Sequence, residues 1–207
     1  MKRTCFLLAA LLFYMAHATV WAAQSVGTSD MQCPDSAIYP AEAMMYHLEG
    51  STVLEFSLAA DGAIVDIIVK RSSGWAMLDE AAVEALAGCR TTLAPDSRPT
   101  AKRLPIEFTW SFDGLPKRHV LVPNSCAASD RFDGFRAFDT SASGADGILV
   151  RTLIRSSGQP YFTRAERGSA PEDVAALAVE YLRTCRFALP APGAESEKAI
   201  YGRVLLK

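Results

Sequence analysis

The sequence predicts an α+β protein: two tandem small domains, each a three-stranded antiparallel sheet packed with one or two helices and stapled by a disulfide. Three observations predict it. Apolar stretches with the two-residue period of a sheet meet at Asp61-Gly62, a strong short hairpin signal. The same succession of residues returns 96 positions later without a gap: Gly62 falls on Gly158, Leu86 on Leu182, Cys89-Arg90 on Cys185-Arg186, Leu93 on Leu189 and Leu104-Pro105-Ile106 on Ile200-Tyr201-Gly202. Four cysteines beyond the N-terminal segment divide two to each copy. A period of that length is too long for a solenoid and fits two copies of one small domain. The string Arg71-Ser-Ser-Gly74 also recurs, as Arg155-Ser-Ser-Gly158, but at an offset of 84 that places Cys89 on Asp173. That string is chance or local turn chemistry.

In the first copy, Pro40 suits the first turn of a helix over Ala41–Leu48, which Gly50 ends. Strands follow at Ser51–Leu58 and Ala63–Lys70. Leu54, Phe56 and Leu58 point to one face, Val53, Glu55 and Ser57 to the other; in the return strand Ile64, Asp66 and Ile68 oppose Val65, Ile67 and Val69. A helix from Trp75 to Gly88 lays Leu78, Ala82, Ala85-Leu86 and Cys89 along one stripe, with Asp79, Glu80 and Glu84 expected on its solvated face. A Pro-rich connection leads to the last strand, where Leu104, Ile106, Phe108 and Trp110 alternate with Arg103, Glu107 and Thr109.

A linker over 113–118 precedes a short strand-like stretch, His119–Val122. The second copy opens differently, on Asp130–Asp139, with turn signals and three phenylalanines. Its aspartates lack the alternating spacing and closing Glu of a calcium loop. From Gly147 the pattern resumes with strands at Ile148–Ile154 and Tyr161–Arg167, and a helix begins at Pro171-Glu172-Asp173. Val174, Leu177-Ala178, Tyr181-Leu182 and Cys185 form its stripe, and Ala199–Leu206 is the closing strand.

Residues 1–22 have the build of a secretory signal peptide: Lys2-Arg3, an apolar run from Phe6 to Ala16, and a small-residue cleavage site at Val20-Trp21-Ala22 or Ala16-His17-Ala18. The competing reading is an uncut anchor over Phe6–Ala23, at the short end for a bilayer span. Without Lys2 and Arg3 the chain carries 19 Lys+Arg against 23 Asp+Glu, a net charge of −4. Its basic residues are scattered, which argues against a nucleic-acid partner; a membrane partner enters only if the first segment is uncut.

Cys33, Cys89, Cys126 and Cys185 lie in pairs separated by 56 and 59 residues. In an exported chain an even count reads as oxidised. Of three connectivities, Cys33–Cys89 and Cys126–Cys185 are expected, because each ties the start of one domain to its own helix end. Closing such a loop contributes roughly 4 kcal/mol in the chain-entropy model. Metal thiolates lack a Cys-x-x-Cys pair, and His47 and His119 are the remaining histidines, so no metal is expected. His47 reads as a charge partner for a helix C-terminus. No nucleophile–base pair, metal cluster or phosphate loop supports catalysis, and no cofactor is expected.

Tyr39-Pro40, Ala43, Gly50, Val53, Phe56, Asp61-Gly62, Val65, Val69, Ser73-Gly74, Leu78-Asp79, Ala82 and Pro95 fall where the C-terminal domain of TonB, the bacterial energy transducer, places its signature residues. Residues 33–112 resemble that domain, and 118–207 resemble a degenerate second copy, recognisable from 147 onward. The resemblance implies a periplasmic, non-enzymatic protein of a Gram-negative cell. It also implies a last strand whose open edge captures a short extended peptide, such as a segment of an outer-membrane receptor, by β-strand addition. Carried to this chain, that edge is Leu104–Trp110, with Leu104, Ile106, Phe108 and Trp110 as the partner-binding residues. The chain departs from the family in two ways: ten residues, rather than a long Pro/Lys-rich spacer, separate Ala22 from Cys33, and cysteines stand at the helix ends where an aromatic is usual. Two further readings are a membrane-tethered transducer component for transport and a periplasmic inhibitor or immunity protein.

Overall fold

A computed structural model describes residues 31–33, 39–92, 103–112, 118–140, 146–188 and 198–207. The segment 1–22 expected to be a signal peptide or anchor, Pro95 of the signature and residues 113–117 of the linker lie outside them. The described elements run β1 (Met31–Gln32), α1 (Ala41–Met45), β2 (Gly50–Leu58), β3 (Ile64–Arg71), α2 (Ala76–Ala87), β4 (Arg90–Thr91), β5 (Leu104–Trp110), β6 (Val120–Leu121), β7 (Phe132–Ala137), β8 (Gly147–Ile154), β9 (Pro160–Ala165), α3 (Glu172–Thr184), β10 (Phe187–Ala188) and β11 (Ala199–Leu206). They build two main antiparallel sheets, β3-β2-β5 and β7-β11-β8-β9, and two short ribbons, β1-β4 and β6-β10. The second main sheet therefore has four strands where three were expected.

The offset of 96 read in the sequence is carried into the hydrogen-bond register. Thr52 faces Phe108 as Ile148 faces Val204, and Phe56 faces Leu104 as Thr152 faces Ile200. Leu58 faces Ile64 as Ile154 faces Pro160. Both hairpins carry a bulge at the same place, between Glu55 and Ser57 and between Arg151 and Leu153. Opposite each bulge a non-glycine residue takes a left-handed conformation, Asp66 at φ +53 and Phe162 at φ +47. These bulges break the alternation expected along the return strand. Ile64 is buried and Ile67 half-buried, three positions apart, while Val65, Ile68 and Val69 are exposed.

Gly62 and Gly158 make the matching turns possible. Each has a left-handed φ, and a Cβ would strike the carbonyl oxygen of Thr91 at 2.0 Å or of Phe187 at 2.4 Å. The glycine carbonyls accept the Thr91 and Phe187 N–H groups at 3.0 and 2.9 Å, tying each hairpin to the strand after its helix. The disulfides pair Cys33 with Cys89 and Cys126 with Cys185, within each half and at each helix end.

Helix α2 covers the first sheet with Leu78, Ala82 and Leu86, all buried, against Leu54, Phe56 and Leu58. A fully buried aliphatic or aromatic side chain of this kind contributes about 1.5–3 kcal/mol. Helix α3 covers the second sheet with Ala178, Leu182 and Cys185; Leu177, expected on that stripe, is 46% exposed. Helix α1 is shorter than expected: the chain leaves it at Tyr46 and turns through His47 at φ +46.

Residues 31–207 form one compact unit, and the two halves share packing. Leu149 and Tyr201 of the second half join the core cluster of the first. Trp75 meets Tyr201 edge to face at 5.7 Å. Arg151, 8% exposed at its side chain, pairs with Glu166 at 2.7 Å and with Glu42 of α1 at 2.8 Å. Glu166 also accepts the Ala76 N–H at the start of α2.

Candidate functional site

Strand β5 pairs with β2 along Gly50↔Trp110 to Phe56↔Leu104, and among the described residues no strand pairs with its other side. Its side chains alternate as the sequence implies. Leu104, Ile106 and Phe108 are half-buried and pack on the first core, and Trp110 is buried. Pro105, Glu107 and Thr109 are exposed on the opposite face, where Glu107 pairs with Arg71 at 2.9 Å. The four residues expected to bind a partner thus turn their side chains toward the helix-covered face. What the outer edge offers a partner is backbone N–H and C=O.

The Trp110 end of this strand is fixed by an aromatic and acidic cluster. Tyr39 packs edge-on to Trp110 at 5.2 Å and against Phe112 at 4.9 Å, and the His47 ring lies 5.0 Å from Phe112. His47, expected as a charge partner for the helix end, thus adds its ring to this cluster. Glu49 accepts the Phe112 N–H at 3.2 Å and the Tyr201 hydroxyl at 3.1 Å, and pairs with Arg118. The Tyr39 hydroxyl donates to the Leu48 carbonyl, and burial, then the Glu49 carboxylate, pushes its pKa up to about 12. Trp110 Nε1 is buried without a hydrogen-bond partner.

The second sheet has the same strand with its edge taken. β11 occupies the position of β5, and on its outer side lies β7, antiparallel, pairing Gly202↔Ala137, Arg203↔Arg136, Val204↔Phe135, Leu205↔Gly134 and Leu206↔Phe132. Phe132 and Phe135, three apart, both reach the second core because the register shifts between Leu205 and Leu206. Near them Tyr181, whose ring lies 5.2 Å from Phe132, has its pKa raised by burial and then by Asp133. Sequence reasoning missed this strand. Asp130, Asp133 and Gly134 read as turn residues, and the spacing of the phenylalanines is not the period of a regular strand. Asp139 closes the segment with ion pairs to Arg136 at 3.0 Å and Arg203 at 3.4 Å.

One expected solvated residue is a structural knot instead. Asp79 is 9% exposed. Its carboxylate accepts the Thr52 hydroxyl at 2.7 Å, the Ser73 N–H at 2.8 Å and the Ser72 hydroxyl, joining β2, the turn after β3 and α2. Glu80 and Glu84 are exposed as expected. Across the described residues no group of three or more His, Cys, Asp or Glu could hold a metal ion, and no helix is long and apolar enough to cross a membrane.

Residues 36–112 match the family model of the Gram-negative bacterial TonB protein C-terminal. That match spans α1 to the end of β5, including the open edge. No curated protein and no solved structure matches the chain.

Proposed function

We propose that this chain is a periplasmic, non-enzymatic binding protein that takes one extended peptide segment along the outer edge of β5, as an added antiparallel strand. The observation that carries the reading is the contrast between two strands in one molecule. β11 has its outer edge filled by the chain's own β7, while β5, in the same register of its own sheet, has no strand there among the described residues. Main-chain hydrogen bonds supply affinity in such pairing, and side chains alternating along the added strand supply selectivity. By the offset of 96, the residues of β11 that β7 covers correspond to Ile106–Trp110. The match of this half to the TonB C-terminal model supports a partner from the cell envelope, such as the exposed segment of an outer-membrane receptor. On this reading the two halves derive from one duplicated domain, and the second has closed its own binding edge.

The test is selection of displayed octapeptides on the full chain, followed by amide hydrogen exchange with the selected peptides. Binding should protect amides within Ile106–Trp110 and leave those of β11 unchanged. Phe108→Pro, checked for folding by circular dichroism, should abolish binding. Peptides that protect another surface, or a selection that yields none, would overturn the proposal.

A further inference from the structure

A second site lies away from both edges, in a concave surface whose lining holds two cations without an ion-pair partner among the described residues. The turn between β8 and β9 carries Arg155, Ser156 and Ser157. With Tyr161, the buried His119 and Lys198 before β11, they line a cavity of about 470 Å³. The Arg155 guanidinium lies over the Tyr161 ring at 4.7 Å. Neither Arg155 nor Lys198 has an ion-pair partner, and the Ser156 hydroxyl makes no hydrogen bond, among the described residues. No carboxylate is among the described residues lining the cavity.

Two internal comparisons indicate that these groups are not there for folding. The equivalent turn of the first half is Ala59-Ala60-Asp61, and it closes with the same bonds. Gly62 N–H donates to Ala59 O at 3.0 Å as Gly158 N–H does to Arg155 O at 2.9 Å; Ala59 N–H donates to Ala63 O as Arg155 N–H does to Gln159 O, both at 2.9 Å. Arg155, Ser156 and Ser157 are therefore dispensable to the turn. The recurrence of Arg-Ser-Ser-Gly supplies the second comparison. At Arg71–Gly74 the serines already hold a carboxylate, Asp79, and the arginine pairs with Glu107. At Arg155–Gly158 the same residues hold no carboxylate among the described residues.

We propose that this cavity binds a small anionic ligand through a carboxylate or phosphate group. Arg155 and Lys198 supply the charge, and Ser156 and Ser157 supply hydroxyl donors. Charge-assisted bonds of this kind are about twice as strong as neutral ones, which sets the preference for an anion over an uncharged sugar of equal size.

The experiment is a titration of the full chain with glucuronate, inorganic phosphate and glucose in separate arms, each to about 10 mM at low ionic strength, read by amide NMR shifts at Ser156–Gly158. Glucuronate or phosphate should move these resonances, the stronger arm naming the chemistry, and glucose should not. The triple change Arg155→Ala, Ser156→Ala, Ser157→Asp installs the turn sequence of the first half, and Lys198→Ala removes the second cation without touching the turn. Each should weaken binding roughly tenfold or more with the fold intact. Silence in both anion arms, equal shifts with glucose, or binding that survives both variants would overturn the proposal.

Discussion

β5 and β11 hold equivalent places in two sheets of matching register, and they differ in what lies beyond them. Each closes a hairpin sheet in the same register and packs under a helix at the same offset. In the first half the residues before the hairpin form α1, whose turn contributes Tyr46 and Leu48 to the core. In the second half they run as β7 and fill the sheet edge. An unpaired edge is a liability that folds normally cover, blunt or use. This molecule covers one and leaves the other uncovered by any described strand, and the proposed binding edge rests on that contrast. The lesson is local: two sheets of matching register differ at this edge according to whether the segment before the hairpin folds as helix or as strand.

The largest test of that comparison is to unseal the second edge. Gly202 has φ +157, and a Cβ there would meet the Arg136 carbonyl of β7 at 2.2 Å. The residue at the offset position in β5 is Ile106, on a strand with no such neighbour among the described residues. Gly202→Val should cost about 3 kcal/mol through backbone strain and the displaced strand. Urea unfolding measures the loss, and faster amide exchange in Val204–Leu206 together with proteolysis inside Phe132–Ala137 would show that β7 has left. An unchanged unfolding midpoint would mean that close approach of β7 does not hold this edge.

How far the sequence discloses this arrangement depends on the regularity of each strand. The hairpins, the helix stripes Leu78, Ala82, Leu86 and Ala178, Leu182, the disulfide pairs and the bounds of β11 all follow from simple periods and spacings. The misread stretches share one physical cause. Ile64 and Ile67, and again Phe132 and Phe135, reach a core from positions three apart because a bulge inserts a residue between them. A period-two reading puts such residues on opposite faces: it misassigns the faces of β3 and misses β7 altogether. Asp79 failed for a different reason. It lies on the same stripe as Trp75, Ala82 and Leu86, a spacing visible in the sequence, but its donors come from Thr52 and the Ser72-Ser73 turn, which only the fold brings near. The candidate edge was legible as a strand through its alternation. That its side chains face inward while its backbone faces outward was not, because sheet order is not encoded in any one segment.

Asp79 sharpens the comparison at intermediate size, since the offset position in α3 is Ala175. Among the described residues, the first half ties its hairpin to its helix through the buried Asp79 carboxylate, and the second half has no acid at that position. Asp79→Ala strands the Thr52 hydroxyl and the Ser73 N–H and should cost about 2 kcal/mol. Asp79→Asn, which keeps an acceptor for them, should recover most of it. Thermal unfolding followed by tryptophan fluorescence suits the measurement, because Trp75 precedes the helix that Asp79 anchors. If Ala and Asn are equally tolerated, the hydrogen bonds are not what joins hairpin to helix.

The smallest expected effect comes from Tyr39, whose offset partner is Phe135. The leading segments of the two halves thus place an aromatic at the same position, but only the first adds a hydroxyl, bonded to the Leu48 carbonyl. Tyr39→Phe makes the two alike and should cost about 1 kcal/mol at neutral pH. The pH dependence has a definite sign. Burial, then Glu49, raises the folded pKa from its ordinary 10.0 to about 12, so the folded chain holds the phenolic proton more tightly than the unfolded chain does. The contribution of the neutral phenol is fully present below pH 10 and is lost as pH rises through about 12, because ionisation in the unfolded chain draws the wild type toward unfolding. Phe has no proton to lose. The stability gap between wild type and Tyr39→Phe should therefore narrow across this window while the other tyrosines, common to both proteins, cancel. Paired urea titrations at pH 8 and pH 11 read that narrowing directly. A gap that widens instead would mean that the hydroxyl is held as phenolate in the folded chain, and the aromatic cluster at the end of β5 would then not be the dry anchor that fixes its register.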